Sequence, residues 1–190
     1  MNYLVLAGGW VIYFLLHSVF AARRVKARIQ HLGRFYRLIY STFATVGLVA
    51  LLMFGGSFES AKLFESSDMV RYLSLMFTTF GVMTMQLAFR QYRLKSFLGF
   101  AEEKDELKIE GILRHVRHPI YSGLILVTIG FLLFIPTMAT AVSCLCILLY
   151  LPIGIYLEEK KLLETFGEAY VHYCEQVPSL FPRIFSSRGS

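Results

Sequence analysis

The sequence predicts an all-α integral membrane protein: one domain, residues 1–190, with about five transmembrane helices, including a helical hairpin, and a C-terminal amphipathic helix. Composition is the first indication, because 56% of the 190 residues are hydrophobic and only 17% are charged, unlike a soluble domain. The arrangement of charge is the second. Long uncharged runs alternate with charged loops, and about 20 helical residues cross a bilayer.

The first three uncharged runs predict three transmembrane helices. They cover Tyr3–Ala22, Leu38–Ser57 and Tyr72–Phe89. The first run ends at Arg23 and Arg24, whereas a secretory signal carries its basic residues before the apolar run. We therefore expect the first helix to be a retained span.

The fourth uncharged run, Pro119–Leu157, is long enough for two crossings. It contains 39 residues, and Pro136 near its middle is poorly tolerated inside a regular helix. The run therefore predicts a helical hairpin that turns at Pro136. In an antiparallel hairpin the residues before and after the run meet at one end, so Arg117–His118 should lie within about one helical turn of Glu158–Glu159.

Uneven charge between the loops predicts an orientation. The net charge of +6 also suits a nucleic-acid-binding protein, but membrane proteins concentrate Lys and Arg on their cytoplasmic side. Residues 23–37 and 90–118 are rich in Arg and Lys, whereas residues 58–71 are not. We expect an N-terminus outside, a C-terminus and hairpin ends in the cytoplasm, and no nucleic-acid partner.

The residues after the hairpin predict the amphipathic helix on the cytoplasmic surface. Gly167 weakens the expectation that this helix is continuous, and residues 177–182 are predicted to cover the hairpin ends. Apolar side chains recur at helical spacing among charged ones: Leu162, Leu163, Phe166, Tyr170 and Tyr173.

The remaining polar and thiol side chains favour packing roles. Cys144 and Cys146 diverge on a helix, which suits neither a disulfide nor a metal site, so we expect small core residues and no metal. His17 and Ser18 lie in the first span, where polar side chains normally face the bundle or a cavity. Packing is favoured there over a ligand role.

The hairpin ends combine groups that suit a zwitterion. Pro119 is favourable in a first helical turn, so Arg117–His118 is predicted at a helix N-terminus, where N–H groups and positive potential attract an anion. Glu158–Glu159 instead suits a cationic or hydroxyl-rich partner. The alternative is that Arg117 and the glutamates form ordinary interfacial ion pairs.

These segments resemble a known superfamily. Arg117-His118-Pro119-Ile120-Tyr121-Ser122-Gly123, residues 158–173 and Val177-Pro178 resemble the isoprenylcysteine carboxyl methyltransferase superfamily. It includes phospholipid N-methyltransferases, methanethiol S-methyltransferases and NnrU-like proteins. The resemblance is close over residues 107–182, while His17-Ser18 and Arg37 to Ser41 are more similar to the methanethiol and NnrU-like branches.

The resemblance implies a membrane methyltransferase whose cofactor is S-adenosylmethionine, with residues 107–182 as the cofactor-binding core. The implied partners are membrane lipids and a methyl acceptor: a thiol, a prenylcysteine-like molecule or a lipid. No glycine-rich dinucleotide signature occurs in the sequence, so the hairpin must hold any such cofactor. The implied catalytic residues are His118, Tyr121 and Glu159; the implied cofactor-binding residues are His115, Arg117, His118, Pro119, Tyr121, Gly123, Glu158, Glu159, Tyr170 and Tyr173.

Two positions differ from the prenylcysteine enzymes. Gly154 occupies a position where they commonly have Arg, and Leu113 replaces a frequent Tyr. Without this Arg a carboxylate acceptor is less favoured than a thiol, an amine or another lipophilic molecule. Two other classes stay open: a reductase-like relative that uses NADPH, since membrane sterol reductases have a similar C-terminal core, and a non-enzymatic membrane protein.

Overall fold

The structure is a computed structural model that describes residues 2–22, 25, 33–91 and 107–182. Within these ranges it is helical, with no strand apart from an isolated bridge between Lys62 and Thr137. The all-α prediction is confirmed. A 3₁₀ turn, Gly111–Arg114, accompanies six α-helices: α1 Asn2–Ala21, α2 Gly33–Gly56, α3 Asp68–Gln91, α4 Pro119–Phe134, α5 Met138–Phe166 and α6 Glu168–Gln176.

The described residues contain fewer full-length spans than the sequence suggested. Four segments are long and apolar enough to cross a bilayer: Asn2–Ala21, Leu38–Gly56, Asp68–Arg90 and Met138–Phe166. Helix α4 has only 16 residues, about 24 Å, whereas a hydrocarbon core is about 30 Å thick. The predicted fourth span is therefore a shorter apolar helix.

Glycines allow close packing between α3 and α4. A Cβ atom on Gly123 would lie 2.6 Å from the carbonyl oxygen of Gly81, and one on Gly130 would lie 2.9 Å from that of Ser74. Ser74 also donates a hydrogen bond of 2.8 Å to the carbonyl of Gly130. In a bilayer such close backbone contact is a main source of helix association.

Gly130→Ala is expected to lower stability by about 1–3 kcal/mol, because the new methyl group collides with the α3 backbone. Gly8→Ala is the matched control, since nothing lies within 4 Å of its added Cβ. Unfolding of both variants in detergent tests this. Equal stability of the two variants would contradict the packing argument.

Helix α1 packs against α2 and α5 through an aromatic core. Leu6 and Trp10 are fully buried, and the Trp10 indole N–H donates to Ser143 Oγ at 3.0 Å. The rings of Phe14 and Tyr150 stack with centroids 4.1 Å apart. Cys144 on α5 is also buried, which confirms its interpretation as a core residue.

The hairpin turns at the predicted place and is held there by the loop between α2 and α3. The Leu63 N–H donates to the Pro136 carbonyl at 2.7 Å, and the Met138 N–H donates to the Ala61 carbonyl at 2.9 Å. Thr137 caps α5 by accepting a hydrogen bond from the Thr140 N–H. The turn is therefore held by backbone hydrogen bonds to residues 61–63 and by the cap at the start of α5.

The amphipathic segment after the hairpin is not one helix. Helix α5 continues through Glu158–Glu159 to Phe166, and α6 begins after Gly167. Gly167 has a φ of 53°, which favours glycine, and the single helix expected from the sequence is divided at this residue, where its continuity was already in question. Most of the apolar face packs within the protein: Tyr170, Tyr173 and Val177 are buried against Leu107, Leu162, Phe166 and Cys174. Leu163 is an exception and is 47% exposed.

Candidate functional site

The two hairpin ends meet as predicted. Arg117 Nη2 lies 2.7 Å from Glu159 Oε1, and His118 Nε2 lies 3.0 Å from the same oxygen. The side chains of Arg117, His118 and Glu159 are 12%, 2% and 31% exposed. One carboxylate oxygen on α5 therefore joins two nearly buried groups at the start of α4.

Arg117 also binds the last turn of α6 and the residue that follows this helix. Its Nη1 donates to the carbonyl oxygens of Cys174 and Val177, both at 2.9 Å. Burial opposes the charge of Arg117, but the hydrogen bond and charge of Glu159 outweigh it and raise the pKa of Arg117 above its usual value. The guanidinium therefore stays charged and ties α6 to the hairpin.

Backbone N–H groups at the start of α4 also bind the segment that follows α6. The N–H groups of Arg117 and His118 donate to the carbonyls of Pro178 and Ser179, at 2.9 Å and 3.0 Å. The prediction that residues 177–182 cover the hairpin ends is confirmed. The expectation that this helix start offers free N–H groups to an anion is wrong for Arg117 and His118, because the covering segment occupies them.

Tyr170 and Tyr173 form the inner face of α6 and are 3% and 5% exposed. The Tyr173 hydroxyl donates to the Leu113 carbonyl at 2.6 Å, which holds the 3₁₀ turn in place. Among the residues that the structure describes, the buried Tyr170 hydroxyl and Arg117 Nε have no hydrogen-bonding oxygen or nitrogen as a partner. Burial raises the pKa of Tyr170, and the nearby charge of Glu159 adds to this. Two unsatisfied buried donors beside a carboxylate suit a water molecule or a polar ligand atom.

Tyr121 extends from α4 towards α5. Its hydroxyl oxygen lies 3.2 Å from the position that a Cβ on Gly154 would take, and its ring meets the His118 ring edge-on at 5.8 Å. The hydroxyl also interacts with the carboxylate of Glu158. The space that a larger side chain would need at Gly154 is therefore filled by the phenol of the neighbouring helix.

Three of the predicted site residues lie outside the contacts that join Arg117, His118 and Glu159. His115 is exposed at the end of the 3₁₀ turn. Gly123 faces α3, where an added Cβ would lie 2.5 Å from Met85 Cγ, so the packing of α3 requires that this position has no side chain. Pro119 is fully buried in the first turn of α4. The roles assigned to the remaining residues stay predictions.

Sequence reasoning missed the role of Ser122. Its hydroxyl bonds to the carbonyls of His118 and Leu180, so it joins α4 to the covering segment. The available signal was its position in the first turn of α4 beside a segment already predicted to cover it. Ser122 and Arg117 both bind backbone carbonyls of the C-terminal segment, and no residue pattern identifies such partners.

The sequence of the chain matches a known protein family. A family model described as NnrU protein matches residues 5–180. The chain belongs to the NnrU family. The match includes both hairpin ends and all of the helices described, apart from the first turn of α1 before residue 5.

Several methyltransferases are related to this NnrU protein. It is 29% identical over 191 aligned positions to methanethiol S-methyltransferase of Crocosphaera subtropica, covering 91% of the chain and 72% of that relative. It is 37% identical over 82 positions to that of Pseudomonas deceptionensis, covering 40% of the chain and 28% of the relative. It is 32% identical over 84 positions to protein-S-isoprenylcysteine O-methyltransferase B of Arabidopsis thaliana, covering 44% and 43%. No solved structure matches the chain.

These relatives bear out the resemblance seen in the sequence. The NnrU family model and the names of the relatives support membership of the isoprenylcysteine carboxyl methyltransferase-like superfamily of membrane proteins. The apolar helices agree with a membrane protein. The chain spans less than half the length of the Pseudomonas and Arabidopsis relatives.

Proposed function

We propose that this NnrU protein is a membrane-embedded methyltransferase that uses S-adenosylmethionine and an uncharged lipophilic or small apolar acceptor, in the first place a thiol. The observation that carries the proposal is the junction of Arg117, His118 and Glu159 beneath α6. This junction lies at the polar start of a helix that is too short to reach both membrane surfaces. The names of the relatives support the same class of reaction.

The donor site would lie beside this junction. Glu158, next to the Tyr121 hydroxyl, suits an ammonium group or ribose hydroxyls, while the unsatisfied donors of Tyr170 and Arg117 suit a carboxylate. When bound, a sulfonium donor supplies an already activated methyl group. The protein then acts mainly by holding the donor and acceptor in line and excluding water.

The predicted catalytic residues divide into two kinds in this proposal. His118 and Glu159 bind each other and hold the hairpin ends in register, so we treat them as positioning residues. Tyr121 stands between Gly154 and Glu158 and is our candidate for contact with the reacting groups. Its ring would shield a sulfonium, which aromatic faces attract.

An uncharged acceptor fits the surroundings of Tyr121. The phenol fills the space at Gly154 where prenylcysteine enzymes commonly carry Arg, and Glu158 lies beside it. An anionic acceptor would meet a carboxylate there instead of a guanidinium, which is unfavourable. We therefore rank a thiol above a prenylcysteine carboxylate.

Ligand binding tests the proposal before any acceptor is known. S-adenosylmethionine and its demethylated product should each raise the melting temperature of the purified protein, whereas NADPH should not. A response to NADPH alone would favour a reductase-like relative, and no response to any of the three would favour a non-enzymatic protein. Radiolabelled methyl transfer is then compared for an alkyl thiol, a prenylcysteine analogue and phosphatidylethanolamine, with the thiol expected to be the best acceptor.

Membrane orientation is a separate prediction. The basic loops that predict it, residues 23–37 and 90–118, lie largely outside the described residues, so the charge pattern is its only basis. Single cysteines at Glu65 and Glu175, in a variant lacking Cys144, Cys146 and Cys174, should react with an impermeant reagent from opposite sides. Both positions are exposed. Reaction of both from one side would refute the orientation.

A further inference from the structure

A second polar cluster lies within the helical bundle. His17 and Ser18 on α1, Tyr40 on α2 and Tyr150 on α5 contact one another, and we call these four residues the His17 cluster. Ser18 Oγ and the Tyr150 hydroxyl are 2.9 Å apart, and the Tyr40 hydroxyl lies 3.1 Å from His17 Nε2 and 3.4 Å from Nδ1. Polar groups in membrane helices are costly and tend to mark functional sites.

The two ring nitrogens of His17 have an unfavourable hydrogen-bond geometry within the cluster. An oxygen almost equally far from both ring nitrogens cannot lie in the ring plane without colliding with Cε1 between them. The Tyr40 hydroxyl therefore lies over the imidazole face, whereas the N–H and the lone pair of a neutral imidazole point outward in the plane. Among the described residues, no other hydrogen-bond partner of His17 accompanies Tyr40.

Aromatic rings surround His17. The ring centroids of Tyr13, Tyr40 and Tyr150 lie 5.9 Å, 5.3 Å and 6.2 Å from its own. Tyrosine side chains are uncharged at neutral pH, and the imidazole of His17 is also uncharged in its neutral form. The environment therefore suits an apolar molecule with one uncharged hydrogen-bonding group.

Helix α5 connects the His17 cluster with the hairpin ends. Tyr150, Gly154 and Glu158 follow one another at intervals of four residues, so they share one face of α5, and Tyr150 lies about 12 Å along the axis from Glu158. The Tyr121 hydroxyl contacts this face at Gly154, between Tyr150 and Glu158. One face of α5 therefore connects the His17 cluster, through Tyr150, with Tyr121 and Glu158.

We infer that the His17 cluster binds the polar atom of the methyl acceptor, an apolar molecule such as an alkyl thiol that enters from the bilayer. This inference rests on the proposed function. The unprotonated in-plane nitrogen of His17 accepts the hydrogen bond of the acceptor, and the tyrosine rings contact its apolar chain. Helix packing alone explains the bond between Ser18 and Tyr150, but among the described residues it gives the in-plane nitrogens of His17 no partner.

Photolabelling tests the position of this site without requiring turnover. The full-length protein in nanodiscs is irradiated with an alkyl thiol that carries a diazirine, and crosslinked peptides are mapped. We expect labels on the segments around residues 13–18, 40 and 150 that a plain alkyl thiol of equal length removes by competition. An alkanoic acid of that length should compete less well. Competable labels confined to other segments would overturn the inference.

Two variants separate binding from helix packing. His17→Leu should weaken competition by the plain thiol roughly 3- to 10-fold, the effect of losing one hydrogen bond, while His17→Gln, which keeps an acceptor, should recover most of it. Thr84→Val is the matched control, since its hydroxyl bonds only to its own helix at Phe80. Equal competition in His17→Leu and the wild type would also overturn the inference.

A different result would reject the proposed function. If the wild-type protein neither binds S-adenosylmethionine nor transfers its methyl group, the function is wrong, yet the labelling still reports whether a thiol occupies the His17 cluster. If His17→Leu binds S-adenosylmethionine as the wild type does but needs more thiol for half-maximal transfer, both proposals stand. Unchanged thiol dependence in an active His17→Leu variant rejects the acceptor site alone.

Discussion

Glu159→Gln is expected to destabilise the protein by about 2–4 kcal/mol, because it removes the negative partner of two nearly buried groups. Arg117 and His118 both depend on Glu159 Oε1, and Arg117 in turn holds the carbonyls of Cys174 and Val177. The substitution should therefore loosen α6 as well as the hairpin ends. Unfolding in detergent measures the loss, and hydrogen exchange in residues 168–182 locates it.

The same variant should also bind S-adenosylmethionine roughly 10-fold or more weakly, since a loosened cover no longer closes the site. Glu175→Gln is the matched control. Glu175 pairs with His172 at 3.2 Å on the surface, where both side chains are more than half exposed at 65% and 72%, and such pairs contribute little. If Glu159→Gln unfolds and binds like Glu175→Gln, the junction does not hold the site.

Gly154→Leu is expected to reduce methyl transfer on the order of 100-fold, because the larger side chain must displace Tyr121. The added Cβ alone would lie 3.2 Å from the Tyr121 hydroxyl and 3.3 Å from its Cε1, so the remaining Leu atoms have no room. Misplacing a reacting group by about 1 Å can cost this much. Methyl transfer to an alkyl thiol, expressed as kcat/KM, measures the effect.

Ile153→Leu controls for the presence of a leucine in this turn of α5. Ile153 is 54% exposed on the outside of the bundle, so its replacement should leave transfer unchanged. Gly154→Leu should still bind S-adenosylmethionine measurably, because Arg117, His118 and Glu159 are untouched. Wild-type kcat/KM in Gly154→Leu would refute the placement of Tyr121 beside the reacting groups.

Much of the hairpin was predictable from residue patterns. The uncharged run from Pro119 and the proline at 136 define two antiparallel helices, and antiparallel geometry alone brings Arg117–His118 to Glu158–Glu159. Gly167 had weakened the expectation of one continuous helix, and residues 177–182 were predicted to cover the hairpin ends. The length of α5 was not predictable in this way, since the uncharged run does not reveal that α5 continues beyond it to Phe166.

The candidate site was predictable only in part, because a residue pattern does not show which face of a helix meets which neighbour. Gly123 belongs to the quoted motif yet faces α3, and His115 precedes the motif yet stays exposed. His17 and Tyr40 come together only when α1 and α2 pack beside Tyr150. The assignment of residues 107–182 as a cofactor-binding core stays a prediction.

The sequence by itself determined that this protein is a helical membrane bundle whose charged groups converge at the ends of a hairpin, because hydropathy and charge act along the chain. The tertiary structure decided how those groups are used. Arg117, His118 and Glu159 bind one another and the covering segment, since buried charges and N–H groups need partners that only folding supplies. Tyr121, Glu158 and the unsatisfied donors of Tyr170 and Arg117 are what this arrangement leaves for a ligand.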